Sequence, residues 1–342
     1  ENIQDKKAAF QSAKDFLEIL SLNLPKDGDL LYIAATRDNN VKYFTSQVHA
    51  NGDVDYDHKS SEGFLTTKST KTADAVFLYT LNGKKATLTS VATGRRVVLG
   101  ERAEDHVFYP TMAAKAGDGT QFQVSSRDGK YTFDGGGHFL ASDANMDYAL
   151  TYNSFGSFAG LRLERVGTTL PVHIGESGYA SFWCPSEYTV PEGVTALRLH
   201  IVGGHVKLTS IEGNVPKNTG IILKGTPNTD VNLTLVPNGT TAAIADNLLQ
   251  GSAEPQALTA PVYALKKTGG LVKVKDYMPA FKAYFTATES QVRELLERGL
   301  TGIVNVEAQQ EKAPIYDLSG RRVQNTTKGQ LYITNGKKFI AK

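Results

Sequence analysis

Five oxygen-bearing side chains in NGDVDYDHKSSE, residues 51–62, stand at the spacing of a calcium-binding loop. Asn51, Asp53, Asp55, Asp57 and Glu62 fill positions one, three, five, seven and twelve, where a hard cation gathers about six oxygens or more. Tyr56, however, occupies the place where the sharp turn of such a loop requires glycine, and no helical pattern flanks it. The reading adopted is a strand with Val54 and Tyr56 inward and the three aspartates outward, with calcium as the alternative.

Other chemistry-bearing residues fall short of a constellation. Cys184 is the single cysteine, which excludes an internal disulfide, and it sits in the alternating strand pattern of YASFWC. A cysteine so placed reads as a packed thiol rather than a nucleophile. The seven histidines, at 49, 58, 106, 138, 173, 200 and 205, show no HExxH or other paired helical spacing. His200 and His205 could meet across a hairpin, but two ligands do not close a zinc site, which takes four. GxSxG and P-loop patterns are absent. No catalytic residue, metal or cofactor is assigned.

Saccharide recognition is the chemistry the residue types fit best. Sugars offer an apolar CH face to aromatic rings and hydroxyls to amides and carboxylates. The stretch HFLASDANMDYALTYN supplies both kinds in His138, Asp143, Asn145, Tyr148, Tyr152 and Asn153. Against this, Tyr148 and Tyr152 can equally fill a core, and the only tryptophan, Trp183, lies outside this part of the chain.

Several elements must hold such residues. With 342 residues the chain suits two or three domains. Lys+Arg of 37 against Asp+Glu of 35 gives a net charge of +2, without the basic field of a nucleic-acid binder. No uncharged apolar run approaches the roughly 18 residues of a spanning helix, so a soluble chain without a membrane span is expected. Residues 3–22 place Phe10, Ala13, Leu17 and Leu20 on one face of a lead-in helix that Pro25 ends. Between Pro25 and Pro171 there is one proline, Pro110, whereas ten of the twelve lie from Pro171 to Pro314. Two differently built domains are expected on either side of Gly167–Pro171.

The proline-poor part repeats itself. LLYIAA with KYFTS, ATLTS with RVVLG, and KYTF with HFLAS are three strand pairs. A further alternating strand follows each, in VFLYT, TQFQVS and GLRLERV, whose residues Phe77, Phe122 and Leu161 are 45 and 39 positions apart. Asn82-Gly83 and Gly135-Gly136-Gly137 provide hairpin turns. This threefold pattern over 27–167 resembles ricin-like and fascin-like β-trefoils. The Gln-x-Trp signature of the ricin type is missing, with Gln121-Phe122-Gln123 the nearest approach, so the sugar sites of that family do not carry over.

Residues 168–312 read as short strands separated by Pro-Glu-Gly, Glu-Gly-Asn and Pro-Asn-Gly turns, an antiparallel β-sandwich. One helix interrupts, capped by Thr288 with Gln291 and closed by Gly299. The phrases GYASFWCPSEYTVPEGVTA, LTSIEGNVPKNTGIILKG, NLLQGS and MPAFKAYF resemble an accessory module of large secreted Bacteroidetes proteins. Residues 313–342 contain IYDLSGRRV and KGQLYITNGKKFIAK. Gly320-Arg321-Arg322-Val323 and Leu331-Tyr332-Ile333 resemble the C-terminal sorting segment of the type IX secretion system, which implies export machinery as a partner and a secreted or outer-membrane surface location. The alternative for these residues is a structural hairpin turned at Asn335-Gly336.

The expected protein is therefore mainly β: a lead-in helix over 1–26, a β-trefoil, a β-sandwich and a C-terminal hairpin. Its expected function is non-catalytic glycan binding. The alternatives are a protein-interaction or spacer module that binds a host or partner protein, and an accessory region of a secreted hydrolase.

Overall fold

The computed structural model describes residues 3–4, 6–7, 10, 24–50, 63–102, 106–115, 118–127, 129–153, 160–202, 205–266, 268–298, 315–316, 322–323, 331–334 and 337–340. The chain is mainly β. Residues 1–201 with 208–287 form one compact unit, and 202–207 with 288–342 form a second.

Six strands of the first unit close into a ring. They are β1 (Leu30–Arg37), β4 (Phe77–Asn82), β5 (Lys85–Ser90), β8 (Phe122–Arg127), β9 (Lys130–Asp134) and β12 (Arg162–Arg165). Successive members pair antiparallel, and β12 returns to β1 with Leu31 opposite Arg165 and Ala34 opposite Arg162. The remaining gap, from β9 to β12, is bridged by two hydrogen bonds of 2.8 Å between Tyr131 and Leu161. Three hairpins complete the trefoil: β2 (Asn40–Val48) with β3 (Leu65–Lys68), β6 (Val97–Arg102) with β7 (Val107–Met112), and β10 (Phe139–Ala141) with β11 (Leu150–Tyr152). Four strands thus recur three times, one more per repeat than the three read from the sequence, the additions being β3, β7 and β11.

Alternation decides which residues enter the ring. Phe77, Phe122 and Leu161 are all at most 1% exposed and share one core with Leu31, Leu88 and Phe133. Each such side chain contributes about 1.5–3 kcal/mol by leaving water. Gly83 (φ 61°) turns β4 into β5, and Gly136 and Gly137 (φ 89° and 92°) turn β9 into β10, a region that glycine enters without steric cost.

The rest of this unit is a sandwich. One sheet orders β13 (Thr169–Ile174), β19 (Thr229–Val236) and β15 (Glu187–Thr189). The other orders β14 (Tyr179–Cys184), β18 (Thr219–Lys224), β16 (Thr195–Val202) and β17 (His205–Ser210). Leu170, Ile174, Tyr188 and Leu233 from the first sheet share a core with Phe182, Cys184, Ile221 and Leu223 from the second. Small flanking sheets follow, built from β20 (Gln256–Ala257), β21 (Val262–Leu265), β22 (Leu271–Val274), β23 (Tyr277–Met278) and β24 (Tyr284–Phe285). The sandwich core also takes in Tyr32, Val76 and Leu78 of the trefoil strands and their neighbours, so apolar packing runs from one part of this unit into the other.

Glycine permits one close approach here. Gly94 (φ 67°) lies in the turn between β5 and β6, and a Cβ there would overlap the Ala280 carbonyl. Ala280 N–H donates to the Gly94 carbonyl at 3.0 Å. The phrase MPAFKAYF is thereby tied to the second trefoil repeat.

In the second unit, helix α1 (Glu289–Arg298) begins with the reciprocal cap expected of Thr288 and Gln291. Thr288 N–H donates to Gln291 Oε1 at 2.9 Å, and Gln291 N–H donates to Thr288 Oγ1 at 3.3 Å. Gly299 lies outside the described residues. At the C-terminus β27 (Leu331–Thr334) and β28 (Lys337–Ile340) form the expected hairpin. Two strands not anticipated, β25 (Ile315–Tyr316) and β26 (Arg322–Val323), extend it to four, with Tyr316 opposite Ile333. Near the N-terminus residues 3, 4, 6, 7 and 10 are helical. Phe10 is exposed, and Ala13, Leu17 and Leu20 lie outside the described residues.

Candidate functional site

The third trefoil hairpin collects several of the sugar candidates. Between β10 and β11 the chain turns through residues 142–149, where Met146 N–H donates to the Asp143 carbonyl at 2.8 Å. The Asp143 side chain accepts the Asn145 N–H at 3.0 Å, the local bond that favours aspartate in such turns. The loop also docks on β3, through Thr67 N–H to the Asp147 carbonyl at 2.6 Å and Ala149 N–H to the Leu65 carbonyl at 2.7 Å.

Closure of the ring brings the β1–β2 turn to the same rim. Arg37 pairs with the Asp143 carboxylate, and Asn40 Nδ2 donates to Asn145 Oδ1 at 2.7 Å. Asp143 is buried, whereas Arg37, Asn40 and Asn145 are exposed. Tyr152 is half-buried, and its hydroxyl is pushed up chiefly by burial and further by the Asp143 charge, with Arg37 opposing. A carboxylate, a guanidinium, two amides and a phenol ring therefore share one water-facing rim.

The other candidates are placed differently. Tyr148 is buried, and its ring packs edge-on to Phe64 at 5.9 Å and to His49 at 5.6 Å. His138 stacks on Phe108 at 3.9 Å. Asn153 is exposed at the end of β11. The calcium candidates Asn51, Asp53, Asp55, Asp57 and Glu62 lie outside the described residues.

Two groups with nucleophilic chemistry are set by their surroundings. Burial pushes the Cys184 thiol up to about 11, so it holds less thiolate than a free cysteine. His200 is buried between Asp246, at 3.1 Å from Nδ1, and Thr209 Oγ1, at 3.1 Å from Nε2. That order of acid, imidazole and hydroxyl has the connectivity of a nucleophilic triad. Arg198, however, donates its Nε–H to the same Thr209 oxygen at 3.2 Å and pairs with Asp246. An oxygen that accepts from a guanidinium is a poorer nucleophile, and the network reads as a strand-to-loop clasp. Among the described residues no three His, Cys, Asp or Glu side chains are grouped to hold a metal ion, and no helix is long and apolar enough to cross a membrane.

Sequence reasoning missed a cleft of about 680 Å³ within the first unit. Lys282 reaches into it from the segment before β24. Phe281, the preceding residue, holds a left-handed φ of 57° that bulky side chains seldom adopt. Two backbone bonds fix it there: Trp183 N–H to the Phe281 carbonyl at 3.1 Å, and Phe281 N–H to the Ser252 carbonyl at 2.8 Å. With Phe281 and Ala283 both turned into the core, the intervening lysine is directed into the cleft. The signal in the sequence was a lone charge inside an otherwise uncharged phrase, MPAFKAYF.

No family model matches the sequence, and no curated protein does. Among solved structures the chain is similar to the Polyporus squamosus lectin bound to the epitope Neu5Aca2-6Galb1-4GlcNAc. The TM-score is 0.32 and the identity 12%, over 43% of this chain and 52% of the lectin, so the chain spans about half of that lectin's length. A likeness of that order establishes neither fold nor ligand, and the trefoil description rests on the strand pairings above.

Proposed function

We propose that the chain is a non-catalytic, glycan-binding protein that holds sugars at the rim of the third trefoil hairpin. The observation that carries this reading is the Arg37–Asp143 pair set beside Asn40, Asn145 and Tyr152. A carboxylate oriented by a guanidinium is a strong acceptor for sugar hydroxyls. The two amides add donors and acceptors, and the half-buried ring offers a face for sugar CH groups. Glycoside cleavage takes two carboxyl groups, one of them protonated. At the rim Asp143 is paired with the Arg37 guanidinium.

Location outside the cell is part of the same proposal. It is supported by the match of Gly320-Arg321-Arg322-Val323 and Leu331-Tyr332-Ile333 to sorting segments. The test of binding is a glycan panel probed with the full chain and with Tyr152→Ala, each shown to be folded by circular dichroism. Retention by the wild type that falls at least tenfold in Tyr152→Ala supports the proposal; a wild type that holds no glycan refutes it.

A further inference from the structure

The cleft beside Lys282 has walls of two kinds. Ala180, Leu265, Val274, Met278 and Pro279 make one side apolar. The charged lining residues are Lys68, Asp74, His173, Asp230, Lys266 and Lys282. Both acids are already engaged. Asp74 accepts from Lys68 at 2.8 Å and from the Thr72 hydroxyl. Asp230 takes His173 Nδ1 at 2.8 Å and the Ala73 N–H at 3.2 Å. Lys282 is left without a hydrogen-bond or ion-pair partner among the described residues.

Lys282 is partly exposed within the cleft, and an ammonium partly withdrawn from water without a counter-ion is disfavoured. We infer that this cleft binds a small organic anion, a carboxylate with an apolar body, and that Lys282 is its counter-ion. The volume falls within the usual range for small-molecule sites, about 300–1,000 Å³. One lysine supplies a single point charge, whereas phosphoryl groups are commonly met by arginine forks or a helix N-terminus. A singly charged head is the better match, and the walls contribute affinity by covering an alkyl or aryl body.

The protonation state of Lys282 gives the site a signature. Burial pushes its ammonium down to about 8, so it is mostly charged at neutral pH and neutral at pH 9. An incoming carboxylate stabilises the charged form, so the ligand binds together with a proton above pH 8. The other titratable groups facing the cleft are Lys68 paired with Asp74, His173 paired with Asp230, exposed Lys266, and Tyr179, whose hydroxyl burial pushes up.

The test is titration calorimetry on the full chain with octanoate and 3-phenylpropanoate, each against its neutral amide. At pH 7 at least one carboxylate is expected to bind with Kd below about 1 mM and at least tenfold more tightly than its amide. Lys282→Met, checked for folding, is expected to remove that preference. In the wild type the preference is expected to fall about tenfold per pH unit above 8. Equal binding of carboxylate and amide, binding of neither, an unchanged preference in Lys282→Met, or a preference that is flat from pH 7 to 10 overturns the inference. The pH profile uses unmodified protein, so it decides the matter even if Lys282→Met does not fold.

Discussion

At the third hairpin the buried carboxylate of Asp143 meets Arg37, and Asn145 meets Asn40, with Arg37, Asn40 and Asn145 open to water. In the cleft, Lys68 and His173 have their aspartates, but Lys282 has no partner among the described residues. On the two proposals above, the contrast is between two ways of preparing for a ligand. The rim is complete without one, so a sugar exchanges its hydroxyls for water at little net gain, and selectivity comes from the geometry of the paired groups. On the inference above, the cleft carries a partial desolvation cost at Lys282 that an anion offsets. Its affinity must therefore follow the charge of one lysine, while that of the rim should not.

The strongest way to break the comparison is to destroy the framework of one region only. Gly94→Ala forces a Cβ into the Ala280 carbonyl at a left-handed φ, and we expect a loss of about 3 kcal/mol in chemical denaturation. Carboxylate binding should vanish with it. Cys184→Ser places a hydroxyl in the sandwich core, where Cys184 is 1% exposed. Denaturation should show a loss of about 2 kcal/mol, with ligand retention on the glycan panel unchanged. Unaltered stability together with altered glycan binding would assign the thiol a role we do not give it.

Lys282→Met sharpens the contrast in the opposite direction, because removing an unmatched charge should stabilise the protein. The folded value of about 8 lies below the ordinary 10.5. Below pH 8 both folded and unfolded chains hold the proton, and the folded chain bears the whole burial cost. That cost fades as pH rises from 8 towards 10.5, where neither state is charged. The melting temperature should thus rise by about 2–4 °C at pH 7 and converge with the wild type near pH 10. A lower melting temperature at pH 7 would show that Lys282 has a favourable partner. The smallest effect on stability is expected for deletion of 315–342, which lies in the second unit. The melting transition of the first unit should stay in place. The same deletion should leave the protein in the periplasm, as read by cell fractionation, and unchanged surface display would end the sorting proposal.

How much of this was legible depended on the distance over which residues cooperate. Strands with strong alternation, such as KYTF and GIILKG, and local signals, such as the Thr288–Gln291 cap, were readable because each is settled within a few positions. The third strand of each trefoil repeat was not, since LTTK and LTY are short and polar and VFYPTM carries Pro110. At the proposed rim, Asp143, Asn145 and Tyr152 were singled out by residue type. Their partners Arg37 and Asn40 were not, because Arg37 lies 106 positions from Asp143 and only the return of β12 to β1 joins them. Lys282 was hidden for a further reason. That it lacks a partner among the described residues follows from where Asp74 and Asp230 spend their oxygens, and sequence does not record it.

The central claim is that the hairpin rim holds sugar, and Asp143→Asn tests it most directly. The substitution keeps the shape of the side chain and removes its charge, and Asp143 makes no contact with the cleft. The measurement is retention of wild type and Asp143→Asn on the same glycan panel, with octanoate titration as a check on the fold. We predict at least a tenfold loss of glycan retention in Asp143→Asn and unaltered octanoate binding. Equal retention of the same glycans by both proteins would contradict the account.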